Sequence, residues 1–119
     1  MNDSGDTIEG RKPEPYAEPV APEALVVGDV YFALTYDDEM VLPLLEPLVF
    51  AGKNLEKDDV DDYYFQDVWS YRQGARYKNL AGVEATFHHG DAIKHMFQYE
   101  KALDRLLECS LRRKAKGLL

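Results

Sequence analysis

Apolar and polar residues alternate with a period of two over residues 29–36. Val30, Phe32, Leu34 and Tyr36 fall on one side, and Tyr31, Ala33 and Thr35 on the other. This predicts a half-buried strand, opened by Gly28-Asp29 and closed by the polar turn Asp37-Asp38-Glu39. Residues 40–51, MVLPLLEPLVFA, form a run of 12 mostly apolar residues interrupted by Pro43, Glu46 and Pro47. Bulky side chains favour a strand there, but proline has no N–H to give to a ladder. The expectation is therefore a broken or edge strand, with arms at 40–42 and 48–51, forming a hairpin with the first. Prolines on an apolar edge also discourage edge-to-edge aggregation.

Residues 52–62, GKNLEKDDVDD, read as a loop. Residues 62–66 suit another strand, with Tyr63 and Phe65 on one face and Tyr64 on the other. Asp67 is placed to cap a short helix over 68–73, with Gly74 as its left-handed stop. The rival reading continues the strand through Tyr71, because Trp69 and Tyr71 keep the parity of Tyr63 and Phe65. Alternation returns over 83–88. After Gly90, Ile93, Met96, Phe97, Leu103, Leu107 and Leu111 recur at helical spacing, which predicts a helix over about 91–114 with Asp91 as its N-cap.

These elements define an α+β domain: a small antiparallel sheet of three to five strands, open or in part barrel-like, packed against a long C-terminal helix. Residues 1–24, with prolines at 13, 15, 19 and 22 among Glu and Ala, are expected to be a disordered acidic, Pro-rich tail. That leaves 25–119 as one α+β domain. Pro19-Val20-Ala21-Pro22 fits the loose P-x-x-P pattern, which is common by chance in such a tail.

The whole chain has 119 residues and a net charge of −8, and the charge is unevenly spread. Residues 1–23 carry six acids and two bases, 24–90 twelve and five, and 91–119 four and seven. This acidic balance makes nucleic acid an unlikely partner, because phosphate contacts need Lys and Arg on the contact face. One cysteine, Cys109, forms no internal disulfide and suits a reducing compartment. No stretch approaches the ~20 apolar residues of a membrane span, and the acidic start does not resemble a signal peptide. The expected setting is cytoplasmic, with no membrane association.

No catalytic motif stands out, and no cofactor is expected. His88, His89, Asp91 and His95 lie within eight residues, and imidazoles with a carboxylate can bind a metal. However, strand alternation turns His88 and His89 to opposite sides. The acid clusters at 37–39 and 58–62 could hold a calcium or magnesium ion, but the second lacks the glycine and terminal glutamate of a calcium loop, and both read as solvated acidic loops. Cys109 reads as a small buried apolar residue.

Three functional expectations follow. The first is an interaction or adaptor module that binds a protein partner or itself through an aromatic-rich sheet face bearing Tyr31, Tyr64 and Trp69. The second is a small ligand-binding domain or enzyme, with a site near Trp69, His88, His89 and His95. The third is weak nucleic-acid binding through the basic helix end at Arg112, Arg113, Lys114 and Lys116.

Overall fold

A computed structural model describes residues 17–117. They form an α+β fold, an open five-stranded antiparallel sheet with a C-terminal helix. The strands are β1 (Val30–Tyr36), β2 (Pro43–Lys53), β3 (Tyr63–Asp67), β4 (Phe87–His88) and β5 (Met96–Phe97), in the order β4-β3-β2-β1-β5. The helices are α1 (Val68–Arg72) and α2 (Tyr99–Ala115). Among the described residues β4 and β5 do not pair, so the sheet is not barrel-like.

Alternation along β1 sends its side chains into two apolar clusters. Tyr31 meets Leu48, Phe50, Phe65, Met96 and Val20 on one face, where Ala92 and Ile93 also pack. Leu34 meets Phe97 and the helical Ala102 on the other, beside Phe32, Tyr36 and Leu106. β2 lies at the centre of the sheet rather than at its edge, and it runs unbroken through both prolines.

Ladder geometry explains why the prolines are tolerated. The Phe50 N–H donates to the Asp29 carbonyl at 3.0 Å. Antiparallel alternation then turns the polar groups of Leu48, Glu46 and Leu44 toward β1, and those of Val49, Pro47, Leu45 and Pro43 away from it. On that far side β3 reaches only to Leu48, which pairs with Asp67. Both prolines therefore sit where no strand asks for their N–H. Farther along, the β2–β3 register slips between Phe50 and Gly52. Gly52 has φ +147°, and a Cβ there would come within 2.9 Å of Leu55 Cδ2, so the kink needs glycine.

The helix α2 starts at Tyr99, not near Asp91. Gly90–His95 forms a 3₁₀ segment, and Met96 and Phe97 pair with Ala33 and Phe32 of β1 as an edge strand. Met96 and Phe97 enter opposite clusters, which is strand behaviour that helical spacing conceals. The buried residues of α2 are Ala102, Asp104 and Cys109, while Leu103, Leu107 and Leu111 are only half-buried. The alternation over 83–88 yields a strand only at Phe87–His88.

The expected tail divides at Ala17. Residues 1–16 lie outside the described residues. Ala17 and Val20 are buried, the Val20 N–H donates to the Met96 carbonyl at 2.8 Å, and Pro22–Ala24 forms a 3₁₀ turn. The PVAP segment is thus tied to the sheet through Val20.

The α1 cap is the one its sequence predicts. Asp67 accepts from the Ser70 N–H at 2.8 Å and the Ser70 hydroxyl at 2.7 Å, and also from the Thr86 N–H at 2.9 Å. Gly74, at φ +95°, follows the helix. Replacing Asp67 with Ala removes the cap and the side-chain bond from Thr86 together, leaving only the backbone bond from the Asp67 N–H to the Thr86 carbonyl at 3.2 Å. The expected loss is about 1–2 kcal/mol of unfolding free energy in urea titration. An unchanged midpoint would show that the cap does not hold α1.

Candidate functional site

The chain crosses from β4 at one sheet edge to β5 at the other through the 3₁₀ segment, which packs over β1 and β3. This crossing covers the Tyr31–Phe65 part of the sheet face and stops short of the hairpin end. An open slot of ≈ 240 Å³ remains. Its floor is Ala33, Leu48 and Met96, with Leu44 and Ala92 as apolar walls. Thr35, Glu46, His88 and His95 supply its polar groups. None of these four side chains has a hydrogen-bond or ion-pair partner among the described residues.

Next to the slot, β2 is unusually bare. Residues 42–47, LPLLEP, are exposed on both faces, with Leu44 67% exposed, Leu42 57% and Leu45 41%. Isolated exposed leucines are ordinary, but here Leu44 on the slot's face, Leu45 on the opposite face and Leu42 just before the strand leave both sides of this segment apolar and bare.

The expected aromatic surface is corrected. Tyr31 is 4% exposed and Tyr64 2% exposed, so neither can meet a partner; Trp69 alone, at 61%, faces solvent. Tyr31 is turned into the core against the Phe65 ring, and its hydroxyl accepts from the Val26 N–H at 2.9 Å. Tyr64 donates to Asp59 at 2.8 Å, and burial followed by that carboxylate pushes its phenol well above the ordinary range. The sequence reading missed the covers of these two rings: the 3₁₀ segment packed on the Tyr31 cluster, and Tyr77, His89 and Asp59 around Tyr64.

The histidines separate as alternation requires. His88 and His95 share the slot, and Trp69 does not line it. His89 faces away, stacked on Tyr64 at 4.6 Å, and its Nδ1–H donates to Asp62 at 2.9 Å. The other Asp62 oxygen accepts from the Gly90 N–H at 2.8 Å. That N–H, and then His89, hold the Asp62 carboxyl below the ordinary carboxylate range against the opposing effect of burial.

Other acids in these clusters are likewise used locally. Asp59 accepts from the Glu56 N–H at 2.9 Å, and Asp61 pairs with Lys53 at 3.2 Å. Asp37 accepts from the Leu42 and Val41 N–H groups at 2.9 Å each, which lowers its pKa. Among the described residues no three His, Cys, Asp or Glu side chains are placed to hold a metal ion.

The basic helix end is divided. Arg112 donates through Nε to the Met40 carbonyl at 2.9 Å, and Lys116 Nζ donates to the Glu39 carbonyl at 3.5 Å. Arg113 is half-buried and Lys114 is exposed. Two of the four cations are therefore committed to the chain's own β1–β2 turn. Cys109 is buried, with its thiol toward the same Met40 carbonyl at 3.5 Å. No helix among the described residues is long and apolar enough to cross a membrane.

Comparison with protein-family models, curated proteins and solved structures found no match.

The Asp62 geometry fixes the sign of a pH effect. A carboxyl whose pKa is lower in the folded state stabilises the fold above its unfolded pKa, and that contribution is lost as pH falls through the folded value. Wild type should lose stability below about pH 4, the ordinary carboxylate range. Asp62→Asn should lose less over the same interval, read by urea titrations at about pH 6 and about pH 3. Equal losses would remove Asp62 from the acid response.

Proposed function

We propose that this protein is a small interaction module whose partner docks on the exposed 42–47 segment that leads into and begins β2. One observation carries the reading: exposed Leu44 and Leu45 on the two faces of the start of β2, with exposed Leu42 just before it, in a segment that neither β3 nor the 3₁₀ crossing covers. The docking is through side chains rather than by strand addition. Along the open side of the arm Pro43 and Pro47 remove two donors, leaving the Leu45 N–H as the remaining one, too few for an added strand to form a ladder.

The partner is a different protein with a basic surface around an apolar anchor. A chain with net charge −8 repels its own copies and steers cationic partners toward it. Its basic helix end is also partly engaged within the same molecule. This replaces the Tyr31–Tyr64 surface with Leu42, Leu44 and Leu45. A cytoplasmic setting is part of the proposal and rests on the single unpaired thiol.

Leu42→Asp and Leu44→Asp should each leave thermal stability nearly unchanged, because both side chains are exposed. Each should weaken binding of a captured and purified partner by about tenfold, as loss of a central apolar anchor does. Sedimentation should show the protein alone as a monomer. Dimerisation abolished by Leu44→Asp would replace this reading with self-association, and unchanged partner affinity in both variants would sink it.

A further inference from the structure

We infer that the slot beside the arm receives an alkylammonium group, the side chain of a lysine on the docked partner. This deepens the docking reading and rests on it for the source of the lysine. The slot has the two parts such a side chain requires. Ala33, Leu48 and Met96 form an apolar floor for a four-carbon stem, and Glu46 supplies a carboxylate for the charge.

Lone pairs are also available on the Thr35 hydroxyl and on the imidazoles of His88 and His95. An ammonium carries three donors that rotate freely and can meet dispersed acceptors. A guanidinium is a rigid planar fork that favours a bidentate carboxylate. The acceptors here come from β1, β2, β4 and the 3₁₀ segment, and so surround the slot rather than forming one plane. They are also uncommitted, in contrast to His89 and Asp62 on the opposite face, which satisfy each other. Two imidazoles and a carboxylate would otherwise suggest a metal, but no such trio converges among the described residues.

The test titrates n-butylammonium chloride, a lysine side-chain analogue, into the isotopically labelled full chain and follows amide and imidazole resonances. The controls at matched ionic strength are butan-1-ol and sodium butyrate. Saturable shifts are expected at Ala33, Glu46, His88, His95 and Met96. Butan-1-ol should bind about fivefold more weakly, on the scale of one exposed charge pair, and butyrate more weakly still. Glu46→Gln should reduce butylammonium affinity to the level of the alcohol and leave alcohol binding unchanged.

Equal affinities for amine and alcohol, no effect of Glu46→Gln, or unsaturable shifts spread over the 56–62 loop would each overturn the proposal. Tighter, saturable binding of zinc chloride at His88 and His95 would overturn it in favour of a metal. Leu42 and Leu45 lie outside the slot, so Leu42→Asp separates the two readings. Butylammonium binding that persists while both Leu42→Asp and Leu44→Asp leave partner affinity intact removes the docking reading alone. Loss of partner affinity without butylammonium binding removes the lysine alone.

Discussion

The mismatch in length between β2 and β3 governs this structure. β2 has 11 residues and β3 has five, and they pair only from Leu48 onward. Where both β1 and β3 flank it, β2 is buried through Leu48, Val49 and Phe50. Where only β1 does, every residue from 43 to 47 is exposed. The same mismatch makes two prolines tolerable in a central strand and leaves the crossing chain no support beyond the midpoint of the sheet. The slot and the leucine arm are two results of one short strand.

The acidic residues are structural to a degree that their number hides. Asp37, Asp59, Asp62 and Asp67 each accept from backbone N–H groups at turns or helix ends, where a carboxylate satisfies donors that no ladder reaches. Glu46 differs, with a carboxylate at the rim of an apolar cavity and no donor of its own. These four of the 22 acids serve the fold locally, whereas Glu46 is open to a ligand.

The strands β1 and β3, the α1 cap and the opposite facing of His88 and His89 were legible in the sequence because each depends on neighbours a few residues away. The failures all involve distant partners. Met96 and Phe97 fit a helical stripe until β1 offers them a ladder. Tyr31 and Tyr64 were expected to face solvent because alternation says which residues share a face, not which face is covered. The slot required the 3₁₀ crossing to bring His95 near Glu46, which no spacing in the chain encodes.

Met40 holds a left-handed backbone at φ 60°, a conformation that disfavours an ordinary side chain, and its carbonyl receives both Arg112 and Cys109. Cys109 lies 69 positions away in the chain. The turn has local support from Asp37, which accepts from Val41 and Leu42, but the Met40 carbonyl gains Arg112 and Cys109 only when loop closure over that distance is complete. The hairpin tip is thus where the two ends of the domain meet: its amides are held by Asp37 from within, and its outward carbonyls by the last turns of the helix.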